Sequence, residues 1–549
     1  MEILNKIKDI IIKKKIINHN KRIFKDFDIK IDNESKILVE FNNFISNHIG
    51  FSYLANSLKK KYKSNIVGYF GNSLLVNPLK QDFISKIKIF IGKNIGINFF
   101  SIYKSFGTKD FYFPESNIDF SKKKTKIYKN FISKVTNLYK LEKFKINNVL
   151  VGDLLYDTYI KNIVFLKKPL IPTVNLKDKD FLLFVEDFIY LFLVWENYFK
   201  QNKIKALIGT HFSYTLAIPL RLAVKNNIET FVCGPEVLSR YKKNFYRQNN
   251  ESFFFKDLYK NLSKSNKKKI IIKSKDRINK RINGRYSTDY SFVTKSPFGK
   301  IRKKNYLNKN SKLKVLIATH LFGDAPHALG NHLFPDHYHW LKFLTQIAKK
   351  TNYEWYLKTH PNFGSEWTPY VKHERYVSEN IIKNIKNMFL LPSEVTHNQL
   401  IKEGISAVFT VHGTVGMDYA LFNIPVINAS LSNPHINYNF NFHPKNIQEL
   451  KNIILNLGNK IKNFKIKKRE IFECYAMKNV FFSRNWLLQD IDKTLKEIGI
   501  YHNLWKTSFY SHWVDNYSKE LDQKIKKDVF TYTKSKNNFL LNNNNLGKF

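Results

Sequence analysis

The chain is 549 residues long and carries 92 Lys and Arg against 44 Asp and Glu, a formal net charge of +48. Such a length exceeds what one hydrophobic core supports and predicts about two to four domains. The charge suits any anionic partner, such as a nucleotide, an acidic glycan or a lipid surface. Most of the excess is lysine, beside abundant Asn and Ile, which an AT-rich genome would also encode, so the charge is weak evidence for nucleic acid. The two cysteines, Cys233 and Cys474, exclude a disulfide framework and a Cys-based zinc site, and they fit a reducing cytosol.

Residues 1–35 are predicted to form a basic, amphipathic leading helix. Lys and Ile alternate in it too densely to leave an uninterrupted apolar core, so neither an export signal nor a membrane span is predicted. Two interpretations stay open, an anionic membrane-surface patch and a plain solvated helix. We expect a cytoplasmic protein, with peripheral attachment at the inner face of the cytoplasmic membrane as a further option.

Residues 36–286 are predicted to form a first Rossmann-like domain. Ile37–Phe41 is apolar and strand-like, and the polar segment after it indicates a strand-to-helix loop that contains His48. Farther along, Asp153 and Asp157 stand four residues apart and would share one face of a helix. A solvated helix edge is the commoner explanation for such a pair.

A further strand, loop and helix pattern closes this domain. It spans residues 206–233, with His211 in the loop after its first strand. Residues 287–312 are polar and basic, and they are predicted to be an interdomain linker.

A second Rossmann-like domain is predicted over residues 313–476, with a histidine-rich loop after its first strand. That loop contains His320, Asp324, His327, His332, Asp336, His337 and His339. Histidine and aspartate at this density invite a metal site, but the spacing matches no recognised ligand motif. A loop that binds polar groups of a substrate is an equal alternative.

Two later strands of this domain also end in polar groups. One ends in Lys358-Thr359-His360-Pro361, and the other runs into His412-Gly413-Thr414 at the start of a helix. Ligands of doubly wound sheets sit beyond the carboxyl ends of the strands, and the amides of residues 414–416 would face an anion held there. The alternative is a tight strand-to-helix turn in which the glycines serve geometry alone.

The remaining residues complete a recognisable architecture. Residues 477–532 are predicted to form helices that cross back over the first domain, and residues 533–549 a disordered tail. The fold class is therefore predicted to be α/β of the GT-B type, with two Rossmann-like domains facing a cleft and a C-terminal crossing helix.

Several motifs together carry a family resemblance. LKTHP, followed later by VHGTVGMDYALFNIPVI, resembles the bacterial capsular polysaccharide biosynthesis glycosyltransferases, a family that includes Kdo transferases. The segments GDAPHALGNHLFPDHYHW and VGDLLYDTYI are similar to those of surface-polysaccharide proteins of this type. The resemblance implies transfer of a sugar from a nucleotide-sugar, with CMP-Kdo favoured, to a surface polysaccharide or a lipid-linked glycan. The nucleotide-sugar would be a co-substrate, and no cofactor or metal is expected.

The resemblance also implies roles for named residues. Groups expected to bind the donor and stabilise its leaving phosphate are Lys358, His360, His412, Gly413, Thr414 and Gly416. Asp418 stands where related enzymes often have a Glu, which puts a ribose-binding role for this carboxylate in question. The general base that activates the acceptor hydroxyl is expected in the first domain, with His48 and Asp153 as candidates and His211 next.

Three other functions remain open on the sequence alone. A CDP-glycerol-type glycerophosphotransferase would use the same phosphate-binding groups. A nucleotide-sugar epimerase shares the fold, although the long basic first domain favours a large acceptor. A non-enzymatic polyanion binder is supported only by the net charge, and no specific nucleic acid is expected.

Overall fold

The computed structural model describes residues 2–25, 30–71, 91–92, 94, 99–114, 118–162, 164, 170–244, 246–247, 250–285, 296–360, 368–482, 486–488 and 491–540. Its strands are β1 (Asp32–Phe41), β2 (Ser64–Phe70), β3 (Thr108–Tyr112), β4 (Lys145–Ile146), β5 (Val149–Leu150), β6 (Lys203–Gly209), β7 (Glu229–Cys233), β8 (Leu238–Arg240), β9 (Lys314–Ala318), β10 (Glu354–Lys358), β11 (Met388–Leu390), β12 (Ala407–Thr410) and β13 (Val426–Asn428).

The α-helices of the described residues are α1 (Glu2–Ile23), α2 (Ile45–Tyr62), α3 (Phe99–Ser105), α4 (Ser121–Lys134), α5 (Leu138–Glu142), α6 (Gly152–Asn162), α7 (Lys179–Gln201), α8 (Ala217–Lys225), α9 (Phe255–Asn261), α10 (Lys264–Ile282), α11 (His337–Ala348), α12 (Thr368–Ile382), α13 (His397–Lys402), α14 (Val415–Ala420), α15 (Ile447–Leu455), α16 (Leu457–Asn463), α17 (Lys468–Ala476), α18 (Ile491–Ile498), α19 (Ser508–Asp515) and α20 (Lys519–Lys534). Short 3₁₀ helices lie at Asn250–Phe254, Pro326–Leu329 and Tyr501–Trp505, and a π-helical turn at Met477–Phe481. None of these helices, in the part of the chain described, is long and apolar enough to cross a membrane.

The chain divides into two compact units, each built on one large sheet, and β4 and β5 of the first unit form a separate two-stranded antiparallel sheet. The first unit takes its described residues from 1–158, 176–246 and 484–542, and the second from 159–175 and 247–483. Both are Rossmann-like, so the predicted α/β class is confirmed at the level of each unit. That the two face each other across a cleft stays a prediction.

The first unit has a six-stranded sheet in the order β3-β2-β1-β6-β7-β8, parallel except for β8. Ile37, Leu38 and Val39 are completely buried, because helices cover both faces of a parallel sheet. The strand order reverses between β1 and β6, where Leu38 pairs with Leu207. In doubly wound sheets this reversal opens a crevice at the carboxyl ends of the two strands.

The second unit has a five-stranded, wholly parallel sheet in the order β11-β10-β9-β12-β13. Its order reverses between β9 and β12. Trp355 and Phe409 belong to the core on one face of this sheet, and Tyr356 and Val408 to the core on the other. The alternation follows from the two-residue period of a strand.

Several predicted boundaries differ from the structure. Helix α10 and the residues from 247 belong to the second unit, because Arg277 and Arg281 of α10 bond to that unit. In the predicted linker, residues 296–312 pack on the same unit, and the backbone amides of Tyr306 and Leu307 donate to the Glu403 carboxylate at 2.8 and 2.7 Å. Residues 287–295 lie outside the described residues.

The predicted disordered tail is wrong for residues 533–540. Helix α20 continues to Lys534, and the chain then pairs with β8, where the Arg240 amide donates to the Asn538 carbonyl at 2.8 Å and the Leu540 amide to the Leu238 carbonyl at 2.9 Å. The unpaired edge of the sheet supplies these partners. Residues 541–549 lie outside the described part of the chain.

The leading helix α1 also differs from the prediction of one apolar and one charged face. Ile12 and Ile16 are buried against the first unit, whereas Ile7, Ile10 and Ile11 are 48%, 65% and 61% exposed. Isoleucines therefore occupy both faces of the helix.

Candidate functional site

Histidines converge at the carboxyl edge of the second sheet, at the reversal of its strand order. His320 follows β9 and His412 follows β12; the His320 Nε2 lies 3.1 Å from the Thr410 hydroxyl and accepts from the His412 amide at 3.2 Å. The ring of His337 lies 4.8 Å from that of His320, and the ring of His332 lies 6.0 Å from those of His337 and His412. These four residues, His320, His332, His337 and His412, are called the histidine cluster below.

Burial keeps the histidine cluster neutral. It lowers the pKa of His332 to about 3 and that of His337 to about 4, and it holds the pKa values of His320 and His412 well below the usual range. Neighbouring histidines lower all four further, since each would repel a second positive charge. The cluster therefore offers ring N–H donors without a fixed positive charge.

Parts of the histidine cluster lack hydrogen-bond partners among the described residues. Both ring nitrogens of His412 and the Nδ1 of His332 are unpaired, although the His332 Nε2–H donates to the Pro326 carbonyl at 2.7 Å. A buried polar atom without a partner costs about 1–3 kcal/mol. A bound anion that accepts from His412, or from the Nδ1 of His332 once that nitrogen is protonated, would offset that cost.

His360 lies at the end of the neighbouring strand β10, as predicted. Its amide donates to both oxygens of Glu374, at 3.1 and 3.2 Å, and the Thr319 hydroxyl donates to the same carboxylate at 2.5 Å. Burial raises the pKa of Glu374 to about 7. The charge that the His360 ring would carry also lowers the pKa of His320, which puts His360 within electrostatic reach of the histidine cluster.

Lys358 is buried at the last position of β10 and its ammonium donates to the Ser393 carbonyl at 3.0 Å. Desolvation lowers its pKa to about 8, while the carboxylates of Glu394 and Glu374 oppose that shift. One of the three N–H groups of the Lys358 ammonium is thus already bonded within the protein, a bond that no sequence motif predicts.

The turn that leads into α14 is tighter than an anion-binding helix start. The Gly416 amide already donates to the Gly413 carbonyl at 3.2 Å, and the Met417 amide to the Thr414 carbonyl at 2.9 Å. Thr414 makes no side-chain capping bond. A Cβ at Gly416 would lie 2.6 Å from the His435 ring, so this glycine serves close packing.

Asp418 forms a buried ion pair with Arg281. The Arg281 Nε and Nη2 donate to the two carboxylate oxygens at 2.7 Å each, and the side chains are 5% and 4% exposed. This fork is the geometry of a structural pair that fastens α10 to α14. Because each carboxylate oxygen already accepts from the guanidinium, the contact favours a structural role for Asp418, and its ribose-binding role stays a prediction.

The metal interpretation of the histidine-rich loop finds no support in the described residues, where no group of three or more His, Cys, Asp or Glu could hold an ion. Asp336 instead caps α11, accepting from the His339 amide at 2.8 Å and from the Thr173 hydroxyl at 2.5 Å.

In the first unit, His48 does not lie in a loop. It lies in the first turn of α2, buried, with its Nε2–H donating to the Asn42 carbonyl at 2.9 Å and its Nδ1 accepting from the Tyr510 hydroxyl. Burial lowers its pKa to about 4. Both ring nitrogens are occupied, so the structure argues against His48 as a general base.

Asp153 is likewise committed within the first unit. Arg221 donates to its two oxygens from Nη1 and Nη2 at 2.6 and 2.7 Å, and the pair is buried. Asp157 is also buried on the same helix, α6, so the predicted solvated edge is wrong. A carboxylate held by a guanidinium is a poor proton acceptor, because its charged form is stabilised.

The carboxyl edge of the first sheet holds a carboxylate that the sequence motifs did not reveal. Glu40, at the end of β1, is buried and accepts from the Thr210 amide at 2.8 Å and from the Thr210 hydroxyl at 2.7 Å. The same hydroxyl lies 2.5 Å from the His211 Nδ1. The one sequence signal was an acidic residue inside the apolar strand ILVEF.

Comparisons with known proteins add little to this geometry. No protein-family model and no curated protein matches the chain. Solved structures align over most of their length: UDP-GlcNAc 2-epimerase from Neisseria meningitidis (10% identity, 81% of this chain and 97% of that one, TM-score 0.23), MurG from Acinetobacter baumannii (8%, 80% and 94%, 0.22) and the wall teichoic acid polymerase TagF (11%, 96% and 97%, 0.20). Because these TM-scores are below 0.5, the likeness supports no conclusion about this chain, and any function has to rest on the chain's own residues.

Proposed function

We propose that the chain is a nucleotide-sugar-dependent glycosyltransferase of the GT-B type that acts in surface polysaccharide synthesis. The favoured donor is a CMP-sugar such as CMP-Kdo, and the acceptor is an acidic glycan or a lipid-linked glycan. The motif resemblance supports the type of reaction, transfer of a sugar from a nucleotide-sugar. The observation that carries the proposal is the histidine cluster at the strand-order reversal of the second sheet, the position where doubly wound folds bind ligands.

The chemistry of the histidine cluster suits a leaving nucleotide phosphate. When the bond between sugar and phosphate breaks, negative charge grows on the phosphate oxygens. Neutral imidazoles can donate to those oxygens, and an adjacent anion raises their pKa, so they can take up protons as the charge develops. Neutral His412 can donate from one of its two unpaired ring nitrogens, and the unpaired Nδ1 of His332 becomes a donor once it takes up a proton.

His360 and Lys358 extend this site in the proposal. His360 adds a ring at the neighbouring strand end, and Lys358 adds positive charge from the end of the same strand. Gly413 fits its turn closely, since a Cβ there would lie 3.1 Å from the Thr410 hydroxyl and 3.2 Å from a Val415 methyl group. The enzyme would work in the cytoplasm, at the inner face of the membrane.

Calorimetric titration of the full chain with CMP, CDP, UDP and GDP tests the proposal. We expect one nucleotide to bind and His412→Ala to weaken it roughly tenfold or more, a loss of about 1.4 kcal/mol. His397→Ala is the matched control: His397 is also a buried histidine of this unit with a strongly lowered pKa, but its Nδ1 is bonded to the Tyr419 hydroxyl at 2.9 Å.

Two outcomes would replace the proposal. Wild-type protein that binds no nucleotide, and binds polyanions with steep salt dependence, would be a non-enzymatic binder. Preference for CDP-glycerol over CMP-sugars would indicate a glycerophosphotransferase instead.

A further inference from the structure

A concave surface of the second unit lies at the amino-terminal edge of its sheet. It encloses about 520 Å³ and is lined by eleven residues, from the segment 302–310, from Lys314 at the start of β9 and from the end of α13. Five of the lining residues are cationic: Arg302, Lys303, Lys309, Lys314 and Lys402. This surface is called the basic cavity below. We propose that it is an accessory site that binds an acidic polysaccharide.

The basic cavity is separate from the histidine cluster. Lys314 begins β9, and His320 of the cluster follows the other end of the same strand. At about 3.3 Å per residue, the strand places Lys314 roughly 13 Å from Ala318, its last residue. An anionic group held in the basic cavity is therefore too far from the cluster to accept a hydrogen bond from its imidazoles.

Positive charge in the basic cavity is left uncompensated. Residues 300–314 contain seven Lys or Arg and no acidic residue. The ammonium groups of Lys303, Lys309 and Lys402 have no ion-pair or hydrogen-bond partner among the described residues. A concave surface with charge of one sign concentrates the opposite charge, so these lysines would gain by pairing with an anion.

The acid that lines the basic cavity, Glu403, does not neutralise these lysines. Its Oε2 accepts from the backbone amides of Tyr306 and Leu307 at 2.8 and 2.7 Å, and its Oε1 accepts from the Gln399 side-chain amide. These bonds hold the segment before β9 against the end of α13. The carboxylate thus shapes the cavity, and the charge of the lining side chains stays positive.

The groups around the basic cavity fit a chain of acidic sugars better than a compact phosphate. A phosphate site typically uses backbone amides that converge on one point. Here several amides of the lining already donate within the protein, at 2.7, 2.7, 2.9 and 3.2 Å: those of Arg302, Leu307, Asn308 and Asn310. The cavity offers side chains instead, separate ammonium groups for spaced carboxylates and the Asn305 amide for sugar hydroxyls.

The choice of ligand rests on the proposed function, in which an acidic glycan is the acceptor, whereas the charge of the cavity does not. An acceptor chain that is bound here as well as at its reacting end binds more tightly than by that end alone, because the second contact forms within the complex. The basic cavity would thereby keep a growing chain attached between transfers.

The test removes charge from the basic cavity without leaving a partner group unpaired. Lys303→Gln, Lys309→Gln and Lys402→Gln are combined in one variant of the full chain, called the cavity variant. A second variant, Asn305→Ala, keeps the charge and removes the side-chain amide. Calorimetric titrations at about 0.15 M salt use a tetramer of galacturonic acid, the neutral galactose tetramer and inorganic tripolyphosphate.

The matched control loses the same charge elsewhere on the second unit. It combines Lys264→Gln, Lys268→Gln and Lys269→Gln, which lie on the exposed face of α10 and do not line the basic cavity. An effect of net charge alone would be equal in the control and in the cavity variant. Melting temperatures show whether each variant is folded.

We expect wild-type protein to bind the galacturonate tetramer roughly tenfold or more tightly than the galactose tetramer. The cavity variant should lose roughly tenfold or more in affinity for the galacturonate tetramer, because three ion pairs are removed, and the control roughly twofold or less. Asn305→Ala should weaken this binding roughly threefold and leave tripolyphosphate binding unchanged, because it removes hydrogen bonds to sugar hydroxyls. Nucleotide affinity should be the same in all variants.

An equal loss in the cavity variant and the control overturns the inference, as does wild-type protein that does not distinguish the two tetramers. Tripolyphosphate that binds more tightly than the galacturonate tetramer, and only while the cavity lysines are present, overturns the choice of an acidic sugar. Loss of nucleotide affinity in the cavity variant also overturns the inference, because the cavity would then be the nucleotide site. Wild-type protein that binds the galacturonate tetramer as expected but binds no nucleotide overturns the proposed function alone.

Discussion

Breaking the Arg281–Asp418 pair is the sharpest test of the structural role given to Asp418. Asp418→Ala would leave a buried guanidinium, 5% exposed, without either of its two carboxylate contacts at 2.7 Å. Removing one partner of a buried pair costs about 3–5 kcal/mol. At about 2–4 °C per kcal/mol for a unit of this size, the melting temperature of the second unit should fall by roughly 10 °C.

Two further variants make the measurement specific. The double replacement Asp418→Leu with Arg281→Met should recover most of the loss, because two apolar side chains of similar volume need no partner. Asp276→Ala, on the same helix α10, removes an exposed pair with Lys280 and should change stability by about 0.5 kcal/mol or less. Differential scanning calorimetry measures the melting temperature of each variant. Nucleotide affinity is titrated at about 15 °C below the lowest of these melting temperatures, so that every variant is folded. Normal melting with lost nucleotide affinity would refute the structural role and restore the ribose-binding one.

Nucleotide affinity should rise as the pH falls from 8 to 6, because a bound phosphate raises the lowered pKa values of the histidine cluster. The rise should reach up to roughly tenfold per pH unit for each proton taken up. Titrations in buffers of different ionisation enthalpy measure this proton uptake, and pH-independent binding would contradict the prediction. His48 has a pKa of about 4 in the folded protein against an ordinary 6.5, so its neutral form contributes stability that is present above pH 6.5 and lost as the pH falls towards 4. Over that range the free energy of unfolding should fall by about 3 kcal/mol at most. Acid titration of His48→Gln should show a smaller fall. Activity should survive EDTA, and a loss that zinc or manganese reverses would point back to a metal in the histidine-rich loop. Replacing the exposed Ile7, Ile10 and Ile11 by Ser should reduce binding of the full chain to vesicles of anionic lipid roughly tenfold, whereas equal binding would mean that charge alone acts there.

The sheets of both units were predictable because their strands follow simple patterns. The apolar runs at Ile37–Phe41 and Val315–Ile317 leave little choice but a buried parallel strand, and the residues after each strand had to meet at one edge. The positions of His320, His360 and His412 at strand ends therefore follow from sequence alone. Their burial, which lowers their pKa values, depends on tertiary packing, and the spacing of residues in the sequence does not predict that packing.

The errors have one physical origin, partners distant in the sequence. Asp153 and Asp418 look like free carboxylates until Arg221 and Arg281 are brought to them from 68 and 137 residues away. Asn42 and Asn43 precede the segment that contains His48 and favour a turn. Helix α2 nevertheless begins at Ile45, because its apolar residues pack against the first sheet. Local sequence cannot decide between an available group and a neutralised one.

The two units place different chemistry at the same topological position. In the second, the reversal between β9 and β12 gathers imidazoles that burial holds neutral, which suits a phosphate that arrives with its own negative charge. In the first, the reversal between β1 and β6 holds a buried carboxylate, Glu40, which accepts from Thr210 and is linked through the Thr210 hydroxyl to the His211 ring. Desolvation raises the energetic cost of a charge at either edge, so a bound group of opposite charge would be strongly stabilised there. The proposed transferase needs a stabiliser for a leaving anion, and the neutral imidazoles at the edge of the second sheet fit that requirement.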